Sequence, residues 1–262
     1  MTNAALHVAR TGLDAQNERM RVIANNLANV NTTGFKRDRA QFETLAYQSI
    51  TAPGAPSSAD NKFATGLNLG SGVSIAATSR VDTQGSIQQT DNALDMAIEG
   101  AGFFQITRPD GSIAYTRDGN FQLSSEGTIV TSDGMPLNPQ IQVPDGATSI
   151  TIGGDGTVSA TLQGQTAPTE LGKIQTARFT NPNGLQAIGN NLLTETAASG
   201  APQIGDPGTD GRGTMRGGSL EGSNVNIVEE LVDMIETQRA YEVNSKLIKA
   251  TDEMLQTANQ QL

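Results

Sequence analysis

The stretch Leu6-His-Val-Ala-Arg-Thr-Gly-Leu-Asp-Ala-Gln-Asn-Glu-Arg-Met-Arg-Val-Ile-Ala-Asn-Asn-Leu-Ala-Asn-Val30 carries the pattern that decides the fold. Leu6, Ala9, Leu13, Gln16, Met20, Ile23, Leu27 and Val30 recur at alternating spacings of 3 and 4. Such a seam, with Gln16 as its one polar position, predicts a long amphipathic helix that lies against another helix. Asn31-Thr32-Thr33-Gly34 ends it, because glycine takes the left-handed conformation of a helix stop without a Cβ clash. At about 1.5 Å per residue, residues 3–31 would span roughly 43 Å.

The other end of the chain repeats the pattern. Asn226 can cap a helix, with Glu229 three residues on and Glu230 and Asp233 near the positive end of its dipole. The seam reads Ile227, Leu231, Met234, Gln238, Tyr241, Ser245, Ile248, Asp252, Leu255, Asn259 and Leu262, and Val228, Val232, Ile235 and Leu247 widen it. Gln16, Gln238, Ser245, Asp252 and Asn259 are too polar for a deep monomer core. They suit exchangeable helix–helix contacts in an assembly of many subunits. Residues 1–40 sum to +3 and residues 221–262 to −5, so the two helices attract.

Between the helices the grammar changes. All ten prolines and 26 of the 29 glycines lie within residues 41–220. From about residue 73 apolar residues alternate with polar ones, as in strands. Phe103–Ile106 and Ser112–Tyr115 flank Arg108-Pro109-Asp110-Gly111, a hairpin signature. Further Asp-Gly turns fall at 118–119, 133–134, 145–146 and 155–156. Residues 46–72 and 197–222 read as extended connectors. The expected fold class is α+β. Residues 1–34 with 223–262 form a coiled-coil-like domain, 35–72 with 197–222 a connector layer, and 73–196 an antiparallel β domain.

The residues that would carry chemistry are scarce. There is no cysteine, so no thiolate site or disulfide exists. The one histidine, His7, sits inside the first helical pattern, and no G-x-S-x-G or phosphate-loop motif occurs. Six of the fifteen aspartates precede glycine, where turn duty explains them. Gly153-Gly154-Asp155-Gly156-Thr157 resembles a calcium-binding repeat but occurs once. No catalytic, cofactor or metal residue is therefore nominated, and no enzymatic activity is expected. A net charge of −10 argues against nucleic acid as partner. No apolar run is long enough to span a membrane, and the first residues lack a cleavable export-signal design.

Three segments resemble the flagellar axial family, the rod and hook proteins of bacteria. The first is Ile23-Ala-Asn-Asn-Leu-Ala-Asn-Val-Asn-Thr-Thr-Gly-Phe-Lys36, with Asn25, Asn26, Asn29, Gly34 and Phe35 as its motif residues. The second is Ala97-Ile-Glu-Gly-Ala-Gly-Phe-Phe-Gln-Ile106, with Gly102, Phe103 and Phe104, followed by Tyr115-Thr-Arg-Asp-Gly-Asn-Phe121. The third is Ser223–Lys246, with Asn224, Gln238 and Tyr241. Length and the extended segment 47–65 are most similar to the family's distal-rod members. The resemblance implies a helical homopolymer whose terminal helices line a tube and whose connector, with Tyr47, Pro53 and Pro56, packs between subunits. It implies proximal rod proteins, hook protein, rod cap, P-ring and L-ring proteins and the type III export apparatus as partners. A proximal rod or hook-type protein, and a secreted β-rich binding module, remain the alternatives.

Overall fold

A computed structural model describes residues 2–54, 56, 64–164 and 167–260. The chain has two terminal helices around a mostly antiparallel β middle, an α+β fold, and divides into two compact units. One unit is drawn from residues 1–27, 38–79 and 226–262, the other from 28–37 and 80–225.

The first unit holds α1 (Thr2–Ala28), β1 (Asp38–Thr44), β2 (Tyr47–Thr51), β3 (Leu67–Gly70), β4 (Val73–Arg80) and α2 (Ile227–Gln260). β1 pairs with β4 and β2 with β3, so the four strands form two nested two-stranded ladders. Leu45 N–H donates to Gly72 O at 3.0 Å and joins the two ladders. The ladders meet α1 where Val73 N–H donates to Thr11 Oγ1 at 3.4 Å. α2 starts as expected, with Val228 N–H donating to the Asn226 side chain at 3.0 Å.

α1 stops three residues before the expected 31. Thr32 N–H turns back to Asn29 O, and Thr32 Oγ1 donates to Asn29 Oδ1. Short polar side chains that satisfy their own backbone compete with another helical turn. Val30 therefore lies in the turn beyond α1, half-buried, and not on the helix.

The second unit is built of β5 (Ile87–Gln89), β6 (Met96–Glu99), β7 (Phe103–Thr107), β8 (Ile113–Thr116), β9 (Phe121–Leu123), β10 (Ile129–Thr131), β11 (Ala147–Ile152), β12 (Thr157–Leu162), β13 (Thr169–Lys173), β14 (Thr176–Arg178), β15 (Gln186–Gly189), β16 (Leu192–Thr194), β17 (Gln203–Gly205), β18 (Thr214–Gly217) and β19 (Ser219–Glu221). Its main sheet runs β15-β16-β8-β7-β14-β17. The expected hairpins are β7–β8 and β11–β12. Aspartates hold the turns: Asp110 accepts Ser112 N–H at 3.0 Å, and Asp155 accepts Thr157 N–H at 3.2 Å. Residues 197–222 alternate turns with three short strands, and the strands pair: β17 with β14, β18 with β6, β19 with β5.

β7 is buried on both faces. Phe104 and Ile106 point into the larger core, with Met96, Ile98, Phe121, Ile129, Leu137 and Ile174. Phe103 points the other way, into a cluster with Tyr115, Ala177, Phe179, Leu185 and Leu193. Period-two alternation places neighbours on opposite faces, so Phe103-Phe104 serves both clusters.

Candidate assembly surface

Polar contacts between α1 and α2 fall seven residues apart on α1. Asn26 Nδ2 donates to the Glu230 carboxylate at 3.2 and 3.3 Å, and Arg19 Nη2 donates to Asp233 Oδ1 at 3.2 Å. A Cβ on Gly12 would lie 3.0 Å from Asn244 Nδ2. Glu230 and Thr237 are buried on this face of α2, and Asn26 on α1. The basic helix and the acidic helix thus share charge and amide contacts.

The apolar side chains of the first turns of α2 point mostly elsewhere. Ile227, Val228, Leu231, Val232 and Ile235 are 42–69 % exposed and form one stripe along two turns. At 100° per residue the stripe lies opposite Glu230 and Thr237. Val243, Leu247 and Met254 add exposed apolar surface toward the C-terminus, while Tyr241, also exposed, lies on the Glu230–Thr237 side. This is the inverse of a monomer core, where apolar groups are covered and polar groups are wet. Burying a Val, Leu or Ile side chain is worth about 1.5–3 kcal/mol, so five of them store a large drive for association.

In the second unit, the segment after α1 is tied to the chain's last strand and its central turn. Lys36 pairs with Glu221, and Arg117 Nε lies 3.4 Å from Glu221 Oε2. The three side chains are 5, 0 and 7 % exposed, in the order Lys36, Glu221, Arg117. Gly85 N–H also donates to Glu221 Oε1 at 3.0 Å, and Lys36 donates to Thr83 O at 2.9 Å. Arg117 donates to Gly100 O at 2.6 Å. Burial pushes the Lys36 ammonium below its ordinary value, and its hydrogen bond to Glu221 opposes the shift. Burial lowers Arg117 as well, against the attraction of Glu221 and Asp82. Gly34 stands beside this cluster at φ 67°, and a Cβ there would lie 2.6 Å from the carbonyl carbon of Arg117. Asn224 completes the clamp: its Oδ1 accepts Arg37 N–H at 2.8 Å, and its Nδ2 donates to Val81 O at 2.8 Å.

Three family models match in order. "Flagella basal body rod protein" covers residues 6–36, "Flagellar hook protein FlgE/F/G D1 domain" 97–160, and "Flagellar basal body rod FlgEFG protein C-terminal" 216–261. The flagellar basal-body rod protein FlgG of Buchnera aphidicola subsp. Acyrthosiphon pisum is 51 % identical over 256 residues, 98 % of each chain. The chain belongs to the FlgG family of flagellar basal-body rod proteins. The FlgG proteins of Caulobacter vibrioides and Bacillus subtilis are 47 % and 38 % identical, covering 98 % and 96 % of each chain. This FlgG-family chain is a structural subunit of the flagellar distal rod, in the basal body. No helix among the described residues is long and apolar enough to cross a membrane.

The family name gives the ion cluster a meaning. Each of the three matched segments of this FlgG-family chain supplies one member: Lys36, Arg117 and Glu221. Of the motif residues, Asn26, Gly34 and Asn224 act at contacts, Asn29 holds the turn after α1, and Gly102 precedes Phe103 at φ 148°. Phe103 and Phe104 are buried, Phe35 is half-buried, and Asn25 and Gln238 are exposed. Leu6, Leu13, Met20, Leu27, Met234 and Ile248 are half-buried, Ile23 is buried, and Tyr47, Pro53 and Pro56 are exposed. The Leu255 side chain and residue 262 lie outside the described residues, as do 55 and 57–63 of the extended segment. Sequence reading nominated neither Arg117 nor Glu221, and Lys36 entered only as the end of the first resembling segment. Their sign lay in charges within otherwise apolar or glycine-rich strand sequence.

Proposed function

We propose that copies of this chain build the distal rod as a helical tube, with the apolar stripes of the terminal helices covered by neighbouring copies. The observation that carries the reading is the exposed stripe Ile227–Ile235 on a helix whose covered face is polar. A heterologous contact that does not close into a ring propagates as a helix of subunits. In this reading the two helices pack as a coiled coil and form the innermost wall of the export channel. The β2–β3 ribbon, with Tyr47, Pro53 and Pro56, packs between subunits as a connector, and the β domain lies outside. The division into residues 1–34 with 223–262, 35–72 with 197–222, and 73–196 is the assembly-level counterpart of that layering.

The tube transmits torque to the hook as a drive shaft across the periplasm. It abuts proximal rod proteins below and hook protein above, turns within the P-ring and L-ring, and grows beneath a rod cap. The chain reaches the tip through the type III export apparatus, without a cleaved signal.

Leu231→Glu tests the reading. Leu231 is 42 % exposed, so the monomer should lose no more than about 0.5 kcal/mol. The assembly, in contrast, would have to bury an unpaired carboxylate. We expect normal secretion of a folded chain, no rods beyond the proximal part, and no swimming. Straight, full-length rods containing Leu231→Glu would sink the reading.

A further inference from the structure

A cavity of about 250 Å³ opens in the second unit beside the Lys36–Glu221–Arg117 cluster. Its walls include Gly102, Phe103, Arg117, Arg178, Phe179 and Pro182. Phe103 and Phe179 stand edge to face with centroids 5.9 Å apart, and the Arg117 guanidinium lies 5.8 Å from the Phe103 ring centre. The cavity is smaller than the roughly 300–1,000 Å³ of sites for drug-sized ligands, so it suits a single side chain. Ring edges, guanidinium planes and a proline ring are the surroundings an aromatic ring prefers.

The chain carries such a ring without cover. Among the described residues the exposed aromatics are Phe42, Tyr47 and Tyr241, at 41, 62 and 42 %. Tyr47 is opposite Gly70 in the β2–β3 ladder, and a Cβ on Gly70 would sit 3.4 Å from its ring. The missing side chain gives the ring a flat backbone to rest on and leaves its outer part open. Only two strands support it, on a narrow ribbon that can enter a gap between larger bodies.

We propose that, in the assembled rod, Tyr47 of one copy inserts into the Phe103–Phe179 cavity of a neighbouring copy. Ring and arginine face give it cation–π and edge-to-face contacts, and Asp82 in the same lining offers an acceptor to the phenol. Every copy carries both the ring and the socket, so one contact repeats along the whole polymer. The inference rests on the reading of this chain as a self-assembling rod subunit and names the socket for its connector.

The absence of cysteine makes disulfide mapping direct. Ser49→Cys, on the same face of β2 as Tyr47 and leaving its ring in place, and Arg178→Cys, both at exposed positions, are combined in one chain and oxidised in isolated basal bodies. The expected result is a ladder of multimers that collapses with reductant. Phe42→Cys with Arg178→Cys, and Ser49→Cys with Asp133→Cys in the 131–134 turn, should stay monomeric. Assembled rods without the ladder, a ladder from the Phe42 pair, or an internally linked monomer would each overturn the socket and leave the rod reading standing. Tyr47→Phe should keep straight rods and Tyr47→Ala should lose them; equal rods in both would also overturn it. The rod reading itself fails separately, if cells lacking this chain still build full rods.

Discussion

Glu221→Ala removes the carboxylate that two buried cations share. Lys36 and Arg117 keep their carbonyl partners at Thr83, Ile98 and Gly100, yet lose their nearest negative charge. Gly85 N–H loses its acceptor as well. Breaking one partner of a buried pair typically costs about 3–5 kcal/mol, because the remaining charge stays desolvated. The carbonyls soften that and the lost Gly85 bond adds about 1 kcal/mol, so about 4 kcal/mol is expected. Against a total stability of about 5–15 kcal/mol this is a large share. The assay is urea unfolding of the monomer followed by far-UV circular dichroism, since there is no tryptophan. With a slope of about 2–3 kcal/mol per molar urea, the midpoint should fall by roughly 1.5–2 M. Glu221→Gln, which keeps volume and one acceptor, should cost about half as much. Lys36→Met added to Glu221→Leu should recover part of the loss, since apolar replacements of a buried pair are often tolerated. A loss below about 1 kcal/mol for Glu221→Ala would refute the view that this cluster ties the three segments together.

Three further outcomes are expected. Ile23→Glu, at a position 4 % exposed, should cost the monomer about 3 kcal/mol or more and lower its helical signal before assembly, unlike Leu231→Glu; equal monomer stability in the two variants would contradict the assigned faces. Gly34→Ala should cost about 1–3 kcal/mol in the same urea assay, because φ is 67° and the new methyl meets Arg117 backbone; an unchanged midpoint would contradict that geometry. Burial, and then Glu195, push the Tyr115 phenol up to about 12 from its ordinary 10.0. The folded state thus holds its proton while the unfolded chain releases it. That contribution is full below pH 10 and is lost as pH rises through 12, about 2–3 kcal/mol in all. Tyr115→Phe should flatten the decline between pH 10 and 12, and an identical decline would contradict the assignment.

The sequence made α1 and α2 legible because heptad spacing survives in the one-dimensional string. It also made the Asp110 and Asp155 hairpins legible, because those turns need their aspartate and glycine locally. The facing of the helices was not legible. The seam Leu6–Leu27 was read as the meeting line, and polar contacts are made beside it by Gly12, Arg19 and Asn26. These stand one residue before Leu13, Met20 and Leu27, about 100° round the helix, and hydrophobic spacing carries no signal for polar contacts. The strands β17, β18 and β19 were hidden for another reason. They are three or four residues long among glycines and prolines, and only their distant partners β14, β6 and β5 define them. The Lys36–Glu221–Arg117 cluster joins residues up to 185 positions apart, which no local pattern reports.

The central claim is that the terminal helices associate between copies through the face left bare in the single chain. A cryo-electron microscopy reconstruction of the distal rod in isolated basal bodies tests it most directly. The account predicts α1 and α2 as the innermost layer, with Ile227, Leu231 and Ile235 packed against neighbouring subunits and Asn26–Glu230 retained within each copy. A rod in which that stripe faces open solvent, or folds back on its own chain, would contradict it.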